Sequence, residues 1–125
     1  TFREFGARIV AEELTFELMH PLSEETPLRS MAEWMLDSRF IRPVQERIDA
    51  ILQWVDEYKI DGVVSFTHLP CRMGNGALSL IKQTLNEKGI VLMDLEADIC
   101  DAATFSPNKM RTAVENYVQM MPANG

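Results

Sequence analysis

The chain has 125 residues, with 12 lysines and arginines against 19 aspartates and glutamates, for a formal charge of −7. That length suits a single domain, residues 1–125, and the acidic balance leaves no basic stripe to neutralise phosphates, so no nucleic acid is expected as a partner. A hydrophobic share of 46% and a charged share of 25% suit a globular fold, and the longest apolar runs fall far short of the roughly 18–20 residues of a membrane helix, so no membrane is expected either.

In chain order, Thr1 to Phe5 reads as the last turn of a helix closed by Gly6, and the absence of an initial Met suggests a piece cut from a longer protein. Ala7 to Ala11 is short, apolar and β-branched, the composition of a buried parallel strand. Leu14 to Pro27 shows no period of 2 or 3.6 and is expected to be a long loop. Leu28, Met31, Trp34 and Met35 then recur at helical spacing to about Ser38, predicting a short amphipathic helix over one edge of the sheet, interrupted by Arg39 to Arg42. Pro43 suits a first helical turn, and Val44, Ile48, Ile51, Leu52 and Val55 make the stripe of a helix packed on a sheet.

Asp61-Gly62 leads into Val63 to His68, a second strand that delivers the glycine-bearing loop Leu69 to Gly76. Ala77 to about Lys88 presents Leu78, Ile81 and Leu85 as a helix closed by Gly89. Ile90 to Leu95 is a third strand ending in Glu96-Ala97-Asp98, and Ser106-Pro107 opens a last helix with Met110, Val114, Tyr117, Val118 and Met121 inward. The alternation predicts a three-layer α/β/α fold with a mainly parallel sheet, a flavodoxin-like or Rossmann-like half of a larger protein. Such sheets put chemistry in the crevice outside the carboxyl ends of their strands. Three loops land there: Glu12 to Phe16, His68 to Gly76 and Glu96 to Asp101.

Cys71 lies just past the second strand, beside Pro70, Gly74 and Gly76. It is a nucleophile activated by His68 and a helix N-terminus, a ligand of a metal or iron–sulfur cluster, or a packed thiol without a role. Clusters take about four thiolates, and zinc sites closely spaced Cys and His pairs, so Cys71 and Cys100 cannot hold either group by themselves, and Cys100 reads as structural. No cofactor is therefore expected on this piece alone. Two cysteines and no leader peptide make the cytoplasm the default compartment. Gly74-Asn75-Gly76 before a helix is a weak phosphate-cradle signal, which with His68 makes a candidate substrate-binding loop. Glu96 and Asp98, two apart at a strand end, are an acid and base pair, a cation site, or loop-ordering carboxylates.

Three stretches then stand in order: Gly6-Ala-Arg-Ile-Val-Ala-Glu-Glu13; Tyr58-Lys-Ile-Asp-Gly-Val-Val-Ser-Phe-Thr-His-Leu-Pro-Cys71; and Leu95-Glu-Ala-Asp98, followed by Phe105-Ser106 and Met110-Arg-Thr-Ala-Val-Glu-Asn-Tyr-Val-Gln-Met-Met121. Together they resemble the C-terminal domain of the 2-hydroxyacyl-CoA dehydratase and benzoyl-CoA reductase family, over nearly the whole chain. The resemblance implies an oxygen-sensitive, anaerobic enzyme subunit, a lyase, holding a [4Fe-4S] cluster in the full-length protein through cysteines from several segments, with Cys71 as one ligand. It further implies an acyl-CoA substrate, a partner dehydratase subunit and a separate ATP-dependent activator protein that injects one electron. Reduction of the thioester carbonyl then gives a ketyl radical from which the 2-hydroxyl leaves, with Glu96 and Asp98 ordering the site or moving protons. Alternatives are a benzoyl-CoA reductase-type subunit, a non-catalytic interaction domain that keeps the fold, and a thiol enzyme using Cys71 with His68. Where the family often has a cysteine after the first strand this chain has Leu14-Thr15-Phe16, and Ala113 stands where an arginine is usual.

Overall fold

The computed structural model describes residues 2–13, 21–37 and 41–121. In chain order these form a 3-10 turn (Phe2–Phe5), α1 (Pro27–Leu36), α2 (Val44–Tyr58), β1 (Gly62–His68), the single turn α3 (Arg72–Asn75), α4 (Leu78–Glu87), β2 (Val91–Ala97), a second 3-10 turn (Ala102–Thr104) and α5 (Pro107–Met120). Among the described residues this is a mixed helix and strand fold around a small parallel sheet of two strands. Among the described residues no helix is long and apolar enough to cross a membrane.

The strands pair in parallel from Gly62 opposite Val91 to His68 opposite Ala97. Val63 and Leu92 are therefore neighbours, and they face the core formed by Ile48 of α2 with Ile81 and Leu85 of α4. Ile48 is 2% exposed and Leu85 fully buried, so the expected apolar stripes of both helices are the ones that pack. Helix α2 runs three residues past Val55 and stops at Lys59, which adopts the left-handed conformation (φ 51°) while its N–H and that of Ile60 donate to the Val55 carbonyl. A lysine in a position that glycine usually fills gives the sequence no stop signal. The α4 stop is the expected one, with Gly89 at φ 75°.

Because side chains alternate across a strand, Gly62 lies on the sheet face opposite Val63. A Cβ there would overlap the Tyr117 hydroxyl and come within 2.9 Å of Met121 Sδ, so the glycine is what lets α5 approach. Tyr117 Oη donates its proton between the carbonyls of Val63 and Val91, each 2.9 Å away, and joins the two strands at their amino ends. Further along, Arg111 of α5 lies 4.9 Å above the Phe5 ring and pairs with Glu4, fastening the first turn of the chain.

Two expectations need correction. Ala7 to Ala11 is not a strand: residues 7–12 belong to no helix or strand, with Ile9 67% and Val10 51% exposed. β-branched composition reports fitness for a half-buried pleat, and without an adjacent backbone it creates no ladder. Helix α1 forms where its spacing predicted but covers no sheet edge, since Leu28, Met31, Met35 and Leu36 are all exposed. The expected loop from Leu14 lies outside the described residues up to position 20; positions 21–23 belong to no helix or strand, and positions 24–26 carry bends leading into α1.

Two outcomes follow. Ile48→Ala should destabilise by about 2–5 kcal/mol, the usual cost of emptying a buried aliphatic site, while the exposed Asp49→Ala stays within roughly 0.5 kcal/mol. Denaturant melts showing equal costs would refute this phase of α2. Burial pushes the Tyr117 phenol up to about 12, against about 10 when unfolded, so folding favours its neutral form. That stabilisation is complete below about pH 10 and is lost as pH rises toward about 12. Tyr117→Phe should cost about 1 kcal/mol at neutral pH, and its stability gap to the wild type should shrink above about pH 10. Melts at stepped pH check this; a gap that stays constant through that range contradicts it.

Candidate functional site

Both strands release their chains at the same end, and the residues with chemistry collect there. β1 ends at His68, whose carbonyl accepts the Cys71 N–H at 2.8 Å, closing a tight turn. Cys71 then caps α3: its half-buried Sγ accepts the Gly74 N–H at 3.3 Å. Asn75 braces the turn from beneath, its side-chain amide donating to the carbonyls of His68 at 3.0 Å and Leu69 at 3.4 Å. The Asn75 and Gly76 N–H groups donate to Cys71 and Arg72 carbonyls. The amides of Gly74, Asn75 and Gly76 therefore serve the cysteine turn itself, which shapes the loop around sulfur.

The far side of this loop touches a residue that sequence reasoning missed. Arg47, 9% exposed, forks onto Glu13 at 2.5 and 2.8 Å and reaches the Gly74 carbonyl at 3.5 Å. Arg47 falls at i+3 from Val44 and i−4 from Ile51, on the apolar stripe of α2. A charged residue in such a stripe signals a buried partner, since an unpaired charge there is costly.

On β2 the two candidate carboxylates part company. Glu96 lies within the strand, opposite Thr67, and is exposed. Asp98 lies past the strand end, half-buried, and among the described residues no hydrogen bond or ion pair joins it to Glu96. Asp98 turns instead toward His68, with Oδ1 3.7 Å from the ring Nδ1, while the same oxygen accepts the Cys100 N–H at 2.8 Å. His68 Nδ1 accepts the Ile99 N–H at 3.3 Å, which places the neutral ring's proton on Nε2. The Asp98 N–H donates to Thr104 Oγ1 at 3.1 Å, and that hydroxyl donates to the Asp101 carbonyl at 2.8 Å. One donor atom each from His68, Asp98 and Cys100 lies within 4.8 Å of the others. Cys100, expected to be structural, thus joins His68 and Asp98, while Cys71 stays outside that group. One further polar contact, absent from the sequence reading, is the buried Thr67 hydroxyl donating to Asp94.

Comparison with known proteins adds what geometry alone does not. The family model described as 2-hydroxyglutaryl-CoA dehydratase, D-component, matches residues 1–121. The chain is 24% identical over 107 residues to the alpha subunit of lactoyl-CoA dehydratase from Anaerotignum propionicum, an alignment covering 85% of this chain and 25% of that protein. It is 23% identical over 134 aligned positions to a benzoyl-CoA reductase subunit from Thauera aromatica, covering 97% of this chain and 31% of that protein. The chain spans between a quarter and a third of the length of these relatives. No solved structure matches. A match running from the first turn through the whole of α5 means that the chain belongs to the 2-hydroxyglutaryl-CoA dehydratase D-component family.

Proposed function

We propose that the chain is part of a 2-hydroxyacyl-CoA dehydratase subunit in which Cys71 supplies one thiolate to a [4Fe-4S] cluster. The observation that carries this reading is the Cys71 turn, where a half-buried sulfur at the carboxyl end of β1 receives a backbone N–H from Gly74. An amide donated to sulfur fixes where the sulfur points, and the thiolate of such a cysteine is the form that ligates iron. The residues fit such a group as contributors, not as a complete site: a cluster takes about four thiolates, and only two cysteines are present. The remaining ligands would come from elsewhere in the assembly.

Bound there, the cluster would supply low-potential one-electron chemistry to an acyl-CoA thioester. The chain's own residues shape the setting. Asn75 and the Arg47–Glu13 pair hold the cysteine turn from two sides. Asp98 is oriented by its contacts to His68 and Cys100; Glu96, exposed on β2, is free to meet solvent or a substrate. The same reading brings a cytoplasmic, oxygen-free setting, a partner subunit and an ATP-dependent activator that delivers the electron. The names of both relatives, each a subunit, support the partner. It also takes the parallel pair as part of a larger three-layer α/β/α sheet. A benzoyl-CoA reductase-type role is the second reading, favoured by an alignment to such a subunit that covers 97% of this chain.

The test uses the native protein purified without oxygen together with its partner subunit. Cys71→Ser should lower cluster iron, visible charge-transfer absorption and turnover together, because a harder oxygen donor replaces a soft thiolate. Circular dichroism should not change, and Cys100→Ser should leave the cluster absorption intact. Full cluster and full turnover in Cys71→Ser would end the ligand assignment. Retained cluster with lost turnover would make Cys71 a catalytic thiol.

A further inference from the structure

We propose that His68, Asp98 and Cys100 form a three-ligand site for one borderline-soft divalent cation of the Zn2+ class, held by this chain alone and distinct from Cys71. The inference goes beyond the cluster reading and does not rest on it. The three donor atoms, an imidazole nitrogen, a carboxylate oxygen and a thiol sulfur, lie within 4.8 Å of one another. A single ion at their centre needs bonds of roughly 2.0–2.3 Å, which this spacing meets after a small inward movement of the three side chains, of which Cys100 is exposed and the other two half-buried. The donor set selects the metal. Sulfur and imidazole disfavour Mg2+ and Ca2+, which take oxygen ligands, and favour Zn2+ and its first-row neighbours.

The loop also supplies what a surface cluster lacks, a fixed backbone. His68 is the last residue of β1, held opposite Ala97 by the parallel register. Asp98 follows Ala97 directly, its N–H tied to Thr104 Oγ1, and Asp101 Oδ1 accepts the Ala103 N–H to set the 3-10 turn beyond. Asp98 Oδ1 already accepts the Cys100 N–H, so the thiol-bearing residue is folded back toward the carboxylate. His68 and Asp98 keep 25% and 23% of their side-chain surface exposed, and Cys100 is exposed, so an ion has a path in. If Nδ1 is the ligating nitrogen, the Ile99 N–H that it now accepts turns to water, a small loss at a residue 71% exposed. Three protein ligands leave a fourth tetrahedral position open to water or to an oxygen of a bound substrate.

Cobalt reports the site directly, since Co2+ occupies Zn2+ sites and a thiolate ligand gives intense near-ultraviolet charge transfer. Titrating the reduced, metal-stripped chain with Co2+ should give thiolate charge transfer and tetrahedral visible bands that saturate at one equivalent and are displaced by Zn2+. Cys100→Ser should abolish the charge transfer, and His68→Gln and Asp98→Asn should weaken Co2+ binding by at least about tenfold, in line with losses at metal-site positions. Cys71→Ser should leave the titration unchanged. Circular dichroism of each stripped variant confirms its fold, so a lost signal reports ligation. The proposal is overturned if the wild-type chain shows no saturable thiolate band, if Cys100→Ser keeps it, or if Cys71→Ser removes it.

Discussion

A ladder of two parallel strands has no independent stability in water, and this chain makes one hold by tying the strands at both ends. At the amino end a single phenolic proton is shared between carbonyls on both strands, which is possible only because Gly62 leaves room for Tyr117. At the carboxyl end the buried Thr67 hydroxyl on β1 meets Asp94 on β2, and the Leu69 N–H continues the pairing to the Ala97 carbonyl at 3.2 Å. Between these ties, Val63 and Leu92 fall side by side over Ile48, Ile81 and Leu85. A slip of one residue by either strand would turn its own member of this pair away from the helices, so core burial and the end ties enforce one register.

That register decides where function falls. With His68 opposite Ala97, the turn leaving β2 begins beside the last side chain of β1, and Asp98 and Cys100 arrive at the histidine ring. Three residues after His68 comes Cys71, in a turn closed on the His68 carbonyl. Both thiols of the chain stand at one end of the sheet, yet their settings differ. Cys71 is half-buried with an amide on sulfur, while Cys100 is exposed beside an imidazole and a carboxylate.

Legibility follows the range of the forces involved. The stripes of α2 and α4, the glycine stop after α4, the runs Val63 to His68 and Ile90 to Leu95, and the proline opening α5 are local patterns, and each appears within a few residues of where the sequence puts it. The Ala7 to Ala11 run misleads because a strand is a relation between two backbones, and local composition cannot supply the second. The lysine stop of α2 is hidden because left-handed lysine carries no compositional mark. For the site, the position of the cysteine turn at a strand end is legible, since loops at the carboxyl ends of parallel strands converge. The pairing of Asp98 with His68 and Cys100 instead of Glu96 is not, because it depends on β2 running two residues past Leu95 to Ala97. That extension leaves Glu96 in the ladder and puts Asp98 first in the turn.

Arg47 and Glu13 show how a costly contact can still be retained. They are separated by 34 positions, and burying two charges gains little net stability over well-packed apolar residues. What the pair provides is a fixed geometry. A guanidinium forked on one carboxylate has few alternative orientations, and one of its nitrogens also touches the Gly74 carbonyl, whose own N–H lies on the Cys71 sulfur. The chain preceding position 14, the stripe of α2 and the cysteine turn are thereby coupled through a single side chain. Lysine could supply the charge at position 47 but not two parallel N–H bonds to Glu13 together with a third to the loop, so the requirement falls on the shape of the group as much as on its sign.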